Sequence, residues 1–191
     1  MYTFNRRMAD LGMSCFSGKI GEKIFGENFN FSSIEGEKDL ITEKFSLSGV
    51  PAKSTDWVKD GVLNELQISR DWAKIKDLKA SMMCNWTIAG GESSVEDMMK
   101  KVDRGLIINN FWYIRDVDRR KGIWTGLTRD GVNYFENGEI KHSVTNLRFN
   151  EDHANMSQRI LALGKQEQTS SNVKVPWMLI DDFNFVDVTS F

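Results

Sequence analysis

Apolar and polar positions divide this chain into an irregular opening, a helical middle and a strand-rich second half. Residues 1–30 are rich in Gly and Phe and show no sustained apolar period, so they read as the continuation of something upstream, not as the start of a fold. Residues 31–53 are polar and loop-like, ending at Gly49-Val50-Pro51. Two segments follow from this: 1–53, an extension continuing from a missing upstream half, and 54–191, a domain. Three helices are punctuated. Ser69 is placed to cap one carrying Trp72, Ile75 and Leu78 at spacings of three. Ser93-Ser94-Val95-Glu96 has the form of a capping box, with Ser93 as cap and Glu96 reaching back. Val95, Met98, Met99 and Val102 then mark one buried face, and Gly105 is the expected left-handed stop. The third helix is predicted over about 151–163, capped by Asn150, with Met156, Ile160 and Leu163 inward and Gly164 ending it.

Between the last two helices the pattern turns extended. Leu106–Arg115 is apolar, aromatic and β-branched, and 123–125 and 132–135 are further candidate strands. Glu136-Asn137-Gly138-Glu139 is a two-residue hairpin signal, because a type I′ turn needs positive φ at both central residues. The returning strand runs from Ile140 to Val144, and a late strand covers Val175–Phe185, beginning near Pro176. Helices and antiparallel strands in this order predict an α+β fold, a largely antiparallel sheet with a few capped helices.

Composition narrows the class. The chain has 191 residues, 40% hydrophobic and 27% charged, which is ordinary for a globular protein. The net charge of −2 and the shortness of the longest basic run, Arg119-Arg120-Lys121, argue against a nucleic-acid partner. That run reads as a solvated turn. There is no apolar stretch of eighteen residues, hence no predicted membrane span. Residues 1–7 include basic side chains but no apolar segment follows, so a signal peptide is not expected and the cytoplasm follows by elimination. Cys15 and Cys84 form no CxxC and read as buried free thiols.

Candidate chemistry is sparse. His142 and His153 are the two histidines, and no HExxH, HxH or Cys/His cluster exists. His142 reads as a surface residue and His153 as a solvated or locally bonded one near a helix start. No GxSxG elbow, P-loop or GxGxxG occurs, Cys15 has no base nearby in sequence, and Asp116/Asp118 and Asp181/Asp182 fit turns. The stretch 109–131 differs. Asn110-Phe111-Trp112-Tyr113-Ile114-Arg115 and Leu127-Thr128-Arg129-Asp130-Gly131 set aromatic and apolar residues beside arginines twice within about twenty residues. Guanidinium on an aromatic face holds peptides and partner surfaces. The same pattern also fits an aromatic core strand with arginines snorkelling at its end, the commoner fate of such residues.

Those blocks, followed by Phe135-Glu136-Asn137-Gly138-Glu139-Ile140 and Val144-Thr145-Asn146-Leu147-Arg148-Phe149, resemble consecutive blocks of the C-terminal domain of the TldD/PmbA family, also called modulator of DNA gyrase. Phe4-Asn5-Arg6, Phe16-Ser17-Gly18-Lys19-Ile20-Gly21-Glu22, Asp60-Gly61-Val62-Leu63, Gly90-Gly91-Glu92-Ser93, Gly105-Leu106, Val175-Pro176 and Phe183-Asn184-Phe185 extend the resemblance over nearly the whole chain. It implies one domain of a two-domain family whose active branch is a zinc metallopeptidase, with ligands from an HExxxH helix and a C-terminal cysteine. Neither motif is in this sequence, and between Gly164 and Pro176 there is no cysteine.

The resemblance is closer to the PmbA-like branch, which partners the catalytic subunit. It implies no catalytic residue and no metal ligand in this chain, zinc only in a TldD-like partner, and no DNA contact. The expected function is that of a non-catalytic partner in peptide processing, pairing with a TldD-like subunit or itself. Tyr113, Arg115, Arg129 and Asp130 are the candidates for a peptide groove or interface. The alternative is a truncated or split gene product that serves only as a structural or dimerising domain and exposes apolar patches.

Overall fold

The computed structural model describes residues 4–189 and is built from two sheets with four short helices at their margins. The first three residues of the stretch inspected for a targeting signal lie outside the described ones. In chain order the elements are α1 (Arg6–Asp10), β1 (Phe31–Ser33), β2 (Thr55–Lys59), β3 (Val62–Leu63), α2 (Arg70–Lys76), β4 (Trp86–Ile88) and α3 (Val95–Met99). Then follow β5 (Arg104–Asp118), β6 (Ile123–Glu136), β7 (Glu139–Val144), β8 (Leu147–Asp152), α4 (His153–Gln158), β9 (Ile160–Ser170), β10 (Val173–Ile180) and β11 (Phe185–Val188). One sheet has the order β3-β2-β1-β4-β10-β9, antiparallel except where β10 runs parallel to β4. The other has the order β11-β8-β6-β5, with β7 also paired to β6. The expected α+β, largely antiparallel fold is the one found. No helix among the described residues is long and apolar enough to cross a membrane.

The main core lies under the first sheet and joins both sides of position 53. Ala9, Cys15, Phe16, Phe25 and Phe31 pack with Trp57, Val58, Leu63 and Leu66 in one buried cluster. Phe16 and Trp57 have no exposed surface. Each such aromatic contributes on the order of 2–3 kcal/mol through burial. The Trp57 indole donates to Ser33 Oγ (2.9 Å), and Ser33 Oγ donates to the Asn85 carbonyl (2.6 Å). Asn85, fully buried, also accepts from Ile34 N and donates to Ile34 O and Thr42 Oγ1. The polar atoms that Trp57, Ser33 and Asn85 bring into the core are thus paired, as burial requires.

The second sheet follows its turns. Asn137 and Gly138 take φ values of 52° and 76°, the positive pair that closes β6 onto β7. Asp118 Oδ1 accepts from Arg120 N and Lys121 N, which folds the basic run into the turn between β5 and β6.

Local readings fail where a tertiary partner outbids them. Ser69 does cap α2, accepting from Trp72 N, and Asp77 in the left-handed region ends it. The helix buries Ala73, however, and leaves Ile75 and Leu78 69% and 46% exposed. Trp72 is held by Asp10, to which its indole donates, and by the cations of Arg7 and Lys76 over its ring. The capping box is shifted by one residue. Ser94 Oγ accepts from Asp97 N (3.1 Å) and the Asp97 carboxylate accepts from Ser94 N (3.4 Å).

The α3 helix is only five residues long, and Gly105 is not its stop. Gly105 lies in β5, where an added Cβ would stand 2.6 Å from the Phe135 ring. The helix expected over 151–163 is split. Glu151 and Asp152 end β8, Asp152 rather than Asn150 caps α4, and β9 starts at Ile160. Ile160, Ala162 and Gly164 are buried and Leu161 is exposed, a period of two that pairing with β10 fixes. The late strand is interrupted at Asp181-Asp182 and becomes β10 and β11, in different sheets.

Candidate functional site

The second sheet carries an exposed edge strand whose aromatic residues do not enter the core. Trp112, Tyr113 and Ile114 in β5 are 44%, 57% and 50% exposed. Phe111 behaves differently, packing on Phe149 and Phe183 at ring distances of 5.1 and 5.6 Å. Gly126 permits Phe149 its place, since a Cβ there would meet the ring at 2.7 Å. One side of β5 therefore anchors, and its other aromatics project.

Two of the three register slips between β5 and β6 shape this edge. The β5–β6 register slips between Ile108 and Asn110, opposite Asp130-Gly131, and again between Trp112 and Arg115, across Tyr113-Ile114. Asp130 and Tyr113 take φ values of 61° and 58°. Asp tolerates that region, but a bulky aromatic there carries strain of order 1–3 kcal/mol. Bulges re-aim side chains at a sheet edge.

The result is a continuous stack. The Arg115 guanidinium lies 3.7 Å from the Tyr113 ring centroid. Tyr113 and Trp112 stack at 5.2 Å and 30°. The Arg129 guanidinium lies 4.3 Å from the Trp112 ring. Arg129 Nε is 3.6 Å from Asp130 Oδ1, while Asn110 Nδ2 donates to Asp130 Oδ2 at 2.8 Å. Tyr113, Arg115, Arg129 and Asp130, singled out from the sequence, thus fall in one cluster. Trp112 and Asn110 complete it. They stood in the same sequence block, yet only the cross-strand register shows that Trp112 bridges the two arginine pairs. Each exposed cation–π contact is worth about 0.5–1 kcal/mol. The Arg129–Asp130 pair, about half exposed on both sides, adds little.

A second pairing has no sequence signal. Cys15 Sγ stands 3.9 Å from His153 Nε2, across 138 positions. His153 Nδ1 bonds the Gly122 carbonyl at 2.7 Å, an acceptor only, so the ring proton sits on Nδ1 and Nε2 faces the thiol as acceptor. His153 stacks on Trp124 at 4.5 Å and meets Phe16 edge-on. It is locally bonded and mostly enclosed, and burial pushes its pKa down against the opposing Gly122 bond. Burial pushes the Cys15 thiol up to about 11, so it is a protonated thiol and not an activated nucleophile. His142 lies on the exposed β7, stacked on Tyr134.

The acidic pairs have structural partners. Asp116 accepts from Arg119 and from the Trp124 indole. The Asp181 and Asp182 carbonyls accept from Arg159, which also pairs with the buried Glu151 at 2.7 Å.

Set beside known proteins, the two-sheet α+β arrangement is a shared fold. Crystal structures of proteins named for modulation of DNA gyrase, from Thermotoga maritima and Bacteroides thetaiotaomicron, superpose with TM-scores of 0.82 and 0.85 at 19% and 16% identity. They cover 96% and 98% of this chain, which matches 45% and 43% of theirs. TldE from Thermococcus kodakarensis gives a TM-score of 0.81 at 18% identity, covering 99% of this chain and 46% of its own.

The chain belongs to the PmbA/TldA metallopeptidase C-terminal domain family, whose model matches residues 1–187. The metalloprotease PmbA of Escherichia coli O157:H7 is 28% identical over 151 residues, 76% of this chain and 32% of that protein. The chain therefore spans about a third of the length of that relative.

The zinc of a metallopeptidase does not fit the described residues. Structural and catalytic zinc sites draw on three or four protein ligands. Among the described residues no group of three or more His, Cys, Asp or Glu is placed to hold a metal ion. Cys15 Sγ and His153 Nε2, 3.9 Å apart, supply two donors, short of that number.

Proposed function

We propose that this chain is a non-catalytic module of a cytoplasmic peptide-processing assembly, in which a TldD-type subunit carries the zinc and this chain helps to hold the peptide. The reading rests on the stack of Arg115, Tyr113, Trp112 and Arg129 along an exposed sheet edge, in a chain of this family. The aromatic faces would hold apolar side chains of the peptide. The guanidinium N–H groups would donate to its carbonyl or carboxylate oxygens. Asn110 and Asp130 would fix Arg129 in register with the ring it covers. The chain would thereby bind and orient, and move no proton itself.

The test is the paired variant Arg115→Ala, Arg129→Ala assembled with the zinc-bearing subunit. The reading expects KM for a peptide to rise about tenfold or more with the metal content unchanged. Unaltered partner binding together with unaltered cleavage would sink it.

One observation favours a second reading, a module that only pairs with another copy. Ile41, Phe45 and Leu47 expose most of their surface on the loop before β2. Under that reading the purified chain is a dimer in which Phe45→Glu restores the monomer, and peptide affinity is absent.

A further inference from the structure

We infer that the stack on β5 and β6 selects acidic peptides, reading carboxylate side chains through Arg115 and Arg129; this rests on the peptide-holding role proposed above. Among the described residues Arg115 makes no ion pair, and its guanidinium lies over the Tyr113 ring, which occupies a face and none of its N–H donors. Arg115 is an exposed residue, so those donors are open to a ligand. A planar fork held on an aromatic face is preorganised for a carboxylate, because less side-chain entropy is lost when the two N–H···O bonds form. Arg129 is held the same way on Trp112. Its neighbour Asp130 offers only partial neutralisation, since Oδ1 stands 3.6 Å from Nε and Oδ2 is engaged by Asn110.

Charge around the stack agrees with this choice. The stack holds two arginines, one carboxylate and the neutral Trp112, Tyr113 and Asn110, so its balance is cationic while the chain as a whole carries −2. A local positive strip on an acidic molecule attracts acidic segments and repels basic ones. The backbone supports the same conclusion. A tyrosine is kept in the left-handed region at the position that sets its ring between Trp112 and Arg115. Without that bulge, Tyr113 and Trp112 would point to opposite faces of the strand, and the two arginines would not share one stack.

The experiment measures fluorescence anisotropy of labelled peptides with the intact chain. One extended peptide bears glutamates at alternate positions, a second has glutamine at each, and a third has lysine. The expected result is that the glutamate peptide binds about tenfold more tightly than the glutamine peptide at low salt. The lysine peptide binds more weakly than either. The advantage shrinks as salt rises from about 0.05 to 0.5 M, because exposed charges are screened.

Arg115→Gln and Arg129→Gln each reduce the glutamate advantage by at least threefold, lowering affinity for the glutamate peptide more than for the glutamine peptide. Far-UV circular dichroism and the thermal midpoint confirm that both variants fold. Equal affinity for glutamate and glutamine peptides overturns the selectivity and leaves peptide holding intact. Absence of binding to all three overturns both. A glutamate advantage that survives in both arginine variants overturns the assignment of the selectivity to this stack.

Discussion

Replacing Cys15 by Ala should change the stability of the protein by an amount that depends on pH, because the thiol is kept neutral by its surroundings. Burial raises the Cys15 pKa from the ordinary 9.0 to about 11. Below pH 9 both folded and unfolded chains hold the proton, and the full stabilisation is present. As pH rises from 9 toward 11, the unfolded chain loses its proton first, so stability is lost through that window. Linkage over those two units gives about 1.4 kcal/mol lost by pH 10 and up to about 2.7 kcal/mol once both states have ionised.

Cys15→Ala lacks this titration. It also loses a buried sulfur, 7% exposed, that contacts His153. That deletion costs about 1 kcal/mol at neutral pH, the scale of a small core truncation. Urea unfolding of both proteins at pH 7.5, 9 and 10 isolates the effect, since lysines and tyrosines titrate in both and cancel in the difference. The parent should lead by about 1 kcal/mol at pH 7.5, with the lead gone or reversed at pH 10. A lead that stays constant across this range would mean that the thiol is not buried against Nε2, and the packing of the N-terminal segment on Gly122 and His153 would be wrong.

Other outcomes follow from the same contacts. Phe16→Ala, which empties a site enclosed by Phe4, Phe25 and His153, should cost about 3–5 kcal/mol in chemical unfolding. Glu151→Ala strands the Arg159 guanidinium at 24% side-chain exposure and should cost about 3 kcal/mol, whereas an effect below 1 kcal/mol would show the pair to be solvent-screened. Ser94→Ala should cost about 1 kcal/mol and Ser93→Ala close to nothing, which distinguishes the two candidate caps. Tyr113→Gly relieves the left-handed backbone, so stability should stay within about 1 kcal/mol of the parent while peptide affinity falls.

Readings carried by short-range geometry survive in the structure. Asn137-Gly138 needs no distant partner to turn, and Ser69 caps a helix with its own hydroxyl. Readings that depended on where an apolar face goes did not survive. Ile160 and Leu163 fit a helix as well as a strand until β10 pairs with them, after which Ile160, Ala162 and Gly164 share a buried face. Ile75 and Leu78 had helical spacing, but α2 presents Ala73 inward and leaves them in solvent. The candidate cluster was legible because its residues stand in two compact blocks. The stacking order was not, because it depends on two bulges that slip the β5–β6 register. Cys15 and His153, 138 positions apart, meet only through the tertiary fold.

The most direct test of the non-catalytic partner account is light scattering after size exclusion, with metal analysis on the same peak, for the chain alone and mixed with a TldD-type subunit. The account predicts a defined hetero-complex, with zinc present only when that subunit is present. Zinc at one equivalent on the chain alone, or a chain that ignores the subunit at every ratio, would contradict it.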